Sequence, residues 1–202
     1  MNQFEINAND YLVRRTMAFY HVSYTRMGNP GNPNYLNDLK NTYNSFSSSK
    51  LRSAVNELQQ TLKTDLPQIL QSLSFSEMVV CIVPRAKAES DYHANQQLFR
   101  TTVQTVIRQI PSFVDGTSYL RRHTDTKTTH FRGPIPNYTN EGPEPYPGIT
   151  EETCEISPNI RDNDILLVDD IYTPDVNIDE DAINTLFRAG ARTVIFYAVG
   201  KV

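Results

Sequence analysis

Apolar and polar positions alternate differently in successive parts of the chain. From Ser48, Leu51, Val55, Leu58 and Leu62 recur at helical spacing, with Ser48 or Ser49 placed to cap the start. Asp65-Leu66-Pro67 predicts a second, shorter helix, because proline is tolerated in a first turn. Met78 to Val83 (MVVCIV) is an unbroken apolar run ended by Pro84, the pattern of a strand buried on both faces. After the polar loop PRAKAESDYH, the positions Leu98, Val103, Val106, Ile107 and Ile110 form one helix face that stops at Pro111. SFVDGTSYL predicts a short strand and a turn. From Arg121 to Pro158 the periodicity vanishes and prolines gather, so a long loop of the kind used as a functional lid is expected there.

Regularity returns in DILLVDD, a strand ending near Val168. DEDAINTLFRAGA follows as a helix stopped by Gly190, and RTVIFYAVG is another strand. Two apolar strands joined by one helix predict a right-handed parallel βαβ unit, and residues 78–110 repeat the pattern. The expectation is an α/β core with a parallel sheet over residues 75–202. Residues 1–74 would be a helical and loop extension packed on it, with RMGNPGNPNYLND as a loop.

The 202 residues suit one large domain, and 39% hydrophobic positions suffice for a packed core. A net charge of −4 leaves no global basic face, so nucleic acid is not expected as a partner. Cys81 sits in an apolar run and Cys154 among acids, with no metal or disulfide spacing. MNQFEINANDYLVRR has no apolar signal core and no run is long enough to span a bilayer, so a cytoplasmic protein without a membrane partner is expected.

Candidate chemistry concentrates where strands end, because open α/β sheets bind ligands outside their carboxyl edges. Arg85 and Lys87 follow Pro84 and could meet anionic oxygens, or form a solvated basic loop. Asp169 and Asp170 close the ILLVDD strand, where two carboxylates can accept from a vicinal diol or help to hold a metal. One of them could instead cap the turn while the other is solvated. Asp179, Glu180 and Asp181 read as helix-start chemistry, with Asp179 as the N-cap and acids favoured by the helix dipole. YLRRHTDTKTTHFRGP concentrates the basic charge that the whole chain lacks, in Arg121, Arg122, Lys127 and His130 among others. It is either a solvated surface or a clamp for phosphate.

Taken together, these segments resemble the type I phosphoribosyltransferases, especially the branch related to competence protein F (ComF-like). LLVDDIYT, Leu166 to Thr173, matches that superfamily's strand, acid pair and first threonine of the phosphate loop. VCIVPRAKAESDYHANQQL resembles its pyrophosphate loop, and DGTSYLRRHTDTKTTH its hood, within 116–158. The resemblance implies a parallel-sheet phosphoribosyltransferase-like fold with a helical N-terminal portion and an irregular hood loop. It also implies binding of phosphoribosyl pyrophosphate (PRPP), or a related ribose-phosphate or nucleotide, with Mg²⁺, and transfer of the phosphoribosyl group with release of pyrophosphate. Asp169 and Asp170 would then be the catalytic pair, holding the ribose hydroxyls and, directly or indirectly, the metal. Thr173, Asp175, Val176 and Asn177 would bind the ribose-phosphate, Arg85 and Lys87 the pyrophosphate, and Arg121, Arg122, Lys127 and His130 would face the acceptor. A homodimer is compatible with the sequence, which does not itself define an oligomeric state.

The phosphate loop departs from the family pattern. TPDVNID lacks the usual glycine and is one residue longer, Pro174 removes an N–H donor, and Asp175 carries a carboxylate toward a phosphate bearing about −1.5 to −2 charges. Two other functions therefore stay open: a non-catalytic nucleotide-sensing or regulatory module, and an interaction module docking a partner or nucleic acid through its Tyr/Asn-rich N-terminus and basic hood.

Overall fold

In a computed structural model, the chain is described at residues 1–25, 28–40, 46–128, 140, 148–174 and 176–202. It is an α/β protein with a mostly parallel central sheet. In chain order the sheet strands are β1 (Asn2–Ile6), β2 (Thr16–Ser23), β3 (Met78–Ile82), β4 (Phe113–Asp115), β7 (Asp164–Tyr172) and β8 (Thr193–Lys201), arranged β1-β2-β8-β7-β3-β4. All neighbours are parallel except the β1–β2 pair. A separate antiparallel pair, β5 (Leu120–Arg122) and β6 (Cys154–Ile156), lies inside the stretch expected as structureless hood.

The N-terminal portion corrects the expectation of helix and loop alone. β1 and β2 extend the sheet beyond β8, with Ala18 opposite Phe196 and Tyr20 opposite Ala198. NQFEI and TMAFYHVS are interrupted by polar residues because these two strands bury only part of their surface, so neither forms an unbroken apolar run.

Four α-helices among the described residues cover the sheet: α1 (Tyr35–Leu39), α2 (Ser48–Leu73), α3 (Leu98–Ile107) and α4 (Ile178–Arg188). Helix α2 runs unbroken through Pro67, where a restart was expected, and its cap is Ser47, whose hydroxyl accepts from the Lys50 amide at 3.3 Å. Proline costs an interior helix about 3 kcal/mol. Here the buried stripe Leu58, Leu62, Leu66, Ile69 continues on both sides of it, and that burial offsets the loss.

Leu166, Val168 and Tyr197 pack with α1, α2 and α3 on one face, whereas Ile165, Leu167 and Phe196 pack with α4 and β5–β6 on the other. Thus α3, which links β3 to its neighbour β4, and α4, which links β7 to its neighbour β8, lie on opposite faces. The connections diverge between β3 and β7, which places a crevice at the carboxyl ends of these two strands. No helix among the described residues is long and apolar enough to cross a membrane.

Gly116, where the chain leaves β4 for the hood, is packed against β3. An added Cβ would strike the Val79 side chain and lie 3.1 Å from the Val80 carbonyl oxygen. Gly116→Ala should therefore destabilise the protein by about 1–3 kcal/mol, read as a lower denaturant midpoint with an unchanged slope.

Candidate functional site

β7 is longer than the sequence pattern predicts. Asp169 pairs in register with Ala198 and Tyr172 with Lys201, so the two aspartates lie within the strand and not beyond it. Aspartate is depleted from strands, which is why the run looked finished at Val168. Because successive side chains point to opposite faces, the pair is split. Asp169 turns toward α4 and shares a hydrogen bond with Asp179, while Asp170 meets Lys40 at the end of α1. The Lys40 ammonium also lies 3.4 Å from Asp169 Oδ1. Asp170 is fully buried, and its Oδ1 additionally accepts from the Ile171 amide at 2.6 Å.

The start of α4 overturns one expectation. Asn177, not Asp179, occupies the cap position, in a left-handed conformation (φ 63°) and without a side-chain cap bond. The acids do stand in the first turn, as expected, and are buried there. Asp179 bonds Asp169, Glu180 accepts from the Tyr172 hydroxyl at 2.8 Å, and Asp181 accepts from the Ile149 amide at 2.7 Å. Asp170 Oδ2, Asp179 Oδ1 and Glu180 Oε2 have no hydrogen-bond partner among the described residues.

So many acids in a dry place shift their protonation. Burial pushes the Asp169 carboxyl up to about 7, with Lys40 pulling against it and the Asp170 charge adding to it. Burial, and then the charge and hydrogen bond of Asp169, hold Asp179 well above the usual carboxylate range. Two buried carboxyl groups this close disfavour each other's charge. Burial alone would lower the Lys40 ammonium, but Asp169 and Asp170 outweigh it and raise it.

A pocket of about 600 Å³, counting its mouth, opens at the β3–β7 crevice. Its walls carry five cationic side chains, Lys40, Arg85, Lys87, Arg100 and Arg122, against two carboxylates, Glu89 and Asp169, with apolar surface from Leu39, Phe99 and Leu120 between them. All five of these cations are engaged by the protein. Arg85 donates to the main-chain carbonyls of Gln96 and Lys40, the latter at 2.9 Å, and stacks 4.1 Å over the Tyr92 ring. Lys87 is buried with its ammonium 3.5 Å from Asp125, and Arg100 pairs with Glu89. Arg122 donates to the Arg85 carbonyl at 2.6 Å and the Gly148 carbonyl at 2.8 Å, which ties the hood to the loop after β3.

Of the sequence candidates, the structure brings Arg85, Lys87, Arg122 and Asp169 together around this pocket. Asp170 lies behind it. Arg121, next to Arg122 on β5, points outward to Glu89 and Glu155. Lys127, Thr173, Val176 and Asn177 do not line the pocket, and Asn177 instead accepts from the Asn9 side chain at 2.9 Å. His130 and Asp175 lie outside the described residues. Lys40, Arg100 and the inward-facing Asp179 were missed. Lys40 meets its acids across 129 positions of sequence, with no local pattern to announce it.

Among the described residues, no group of three or more His, Cys, Asp or Glu side chains is arranged as a metal cluster. The two carboxylates expected to accompany Mg²⁺ already face an ammonium, so an ion bound directly between them would have to displace Lys40. No model of a known protein family matches the sequence, and no curated protein matches it either.

Proposed function

We propose that the protein binds a ribose-phosphate ligand, PRPP or a related nucleotide, in the crevice at the ends of β3 and β7. The observation that carries this reading is the charge of the pocket. Five cations gather against two carboxylates in a chain whose net charge is −4. Such a wall suits phosphate or pyrophosphate oxygens, and Asp169 beside it supplies an acceptor for a ribose hydroxyl. In the type I phosphoribosyltransferase manner, the pyrophosphate lies on the Arg85, Lys87, Arg100 and Arg122 side. The Asp169 carboxylate then faces the positive charge that develops on the ribose as pyrophosphate leaves. The protein's work is positioning and electrostatic stabilisation of the leaving group. Mg²⁺ is not assigned to Asp169 and Asp170 in this reading.

A second reading, nucleotide sensing without transfer, is favoured by the first turn of α4. A helix start is an anion site when its amides face the ligand, but here Asp179, Glu180 and Asp181 fill that end with buried acids. Calorimetry with PRPP and with a nucleoside monophosphate should show saturable binding, weakened about tenfold or more in Asp169→Asn. Pyrophosphate release then separates transfer from sensing. No binding of either ligand would refute both readings.

A further inference from the structure

We propose that Lys40 is the resident cation of this site: anchored by Asp170 and shared with Asp169, its ammonium stands where a divalent ion would otherwise neutralise the strand-end carboxylates, and it presents that positive charge to an anionic ligand.

Four observations carry this. First, Lys40 is held at both ends. Its ammonium contacts Asp170 and Asp169, while its main-chain carbonyl accepts from Arg85. Second, its place in the chain is fixed by packing, since Leu36 and Leu39 of α1 are fully buried and the Lys40 amide closes the helix on the Leu36 carbonyl. Third, Lys40 and Asp169 line the pocket whereas Asp170 does not, so a ligand there meets the lysine and one carboxylate, with the second carboxylate serving as the lysine's anchor. Fourth, Asp170 and Asp179 keep buried oxygens without hydrogen-bond partners among the described residues, so the acids beside the ammonium depend on a cation held close to them. A lysine does this without depending on the concentration of a free ion. Asp170 is thus a positioning residue acting through Lys40.

The ligand half of this inference rests on the anion-binding reading of the pocket, whereas the cation half does not. The test therefore has two arms. In the first, wild-type protein and the Lys40→Gln and Lys40→Arg variants are melted without ligand, in EDTA and in millimolar Mg²⁺. Wild type and Lys40→Arg should melt at the same temperature in both conditions. Lys40→Gln should melt several degrees lower in EDTA and recover in Mg²⁺, as the vacated carboxylates take up the ion. Wild type stabilised by Mg²⁺ would overturn the proposal, whether or not Lys40→Gln folds. A folded Lys40→Gln that is indifferent to Mg²⁺ would overturn it as well.

In the second arm, inorganic pyrophosphate is titrated calorimetrically in EDTA. Wild type should bind, and Asp170→Asn should bind about tenfold more weakly because Lys40 has lost its anchor. Equal affinity of the two proteins would remove Lys40 from ligand binding. If wild type bound pyrophosphate and PRPP neither with nor without Mg²⁺, the proposed function would fall together with the ligand half, and the melting arm would still decide the cation half.

Discussion

Asp65→Ala should destabilise the protein by about 3–5 kcal/mol, the cost of removing one member of a buried polar cluster. Asp65 is buried on α2, and its Oδ2 contacts two strands of the sheet: His21 Nδ1 on β2 at 2.9 Å and the Tyr197 hydroxyl on β8 at 2.8 Å. Without the carboxylate, Tyr197 keeps a hydroxyl with nowhere to donate, in a place where burial and then the Asp65 charge already raise it well above the ordinary tyrosine range. For a domain of this size the loss corresponds to a melting temperature lower by about 10 °C. Asp65→Asn should cost less, because its amide oxygen can still accept from Tyr197. Asp65→Leu with Tyr197→Phe should recover part of the loss, since the buried hydroxyl is then gone and the half-exposed His21 can turn to water. An unchanged melting point in Asp65→Ala would show that this cluster carries no stability. The site at Asp169 should be unaffected, because the two clusters share no residue.

Unfolding free energy should pass through a maximum in mildly acidic solution and fall toward alkaline pH. Asp169 is raised to about 7 and Asp179 is also raised. A carboxyl group with a raised folded value contributes stability that is fully present below its unfolded value near 3.9. That contribution is lost as pH climbs through the folded value, so stability declines toward and beyond neutrality.

The opposite slope comes from Asp164, held below its ordinary value by the Arg192 hydrogen bond. It also comes from Asp115, where burial is outweighed by hydrogen bonds from Thr117, Arg108 and Gln104. These two contribute stability above about pH 4 that is lost on acidification. Lys40 is raised, so its contribution is complete below the ordinary lysine value and adds no slope in this window. Urea unfolding should therefore give a higher free energy near pH 6 than near pH 8, and the difference should shrink in Asp179→Asn. A profile that rises from pH 6 to pH 8 would contradict the buried, mutually repelling arrangement of Asp169 and Asp179.

Local pattern carried much of the architecture. MVVCIV, ILLV and VIFYAV are runs that only a strand covered on both faces would hold, and they are β3, β7 and β8. The helix between the last two was legible from its apolar face and from Gly190, which takes a positive φ of 93° just past its end. That Arg85, Lys87 and Asp169 gather around one pocket was legible because each follows or ends such a run, and strand ends converge in a parallel sheet.

Other features have no local signature, because their energy comes from partners far along the chain. β1 and β2 are strands by virtue of the ladder that β2 makes with β8, about 180 positions away. Residues 120–122 and 154–156 pair across a stretch that reads as loop. Asp179 was expected as the cap of a helix start, and only the packing of α4 against β7 turns it onto Asp169.

What the sequence determined by itself, then, was the order of buried strands and helices and the sheet edge at which charge would gather, since period and burial are properties of neighbouring residues. What only the tertiary structure decided was the charge balance at that edge. Lys40, 129 residues from Asp169, offsets part of the acid pair's charge, while Asp179 adds a third carboxyl to it. Electrostatic energy depends on distance and burial in space, and neither is written in the spacing of residues along the chain.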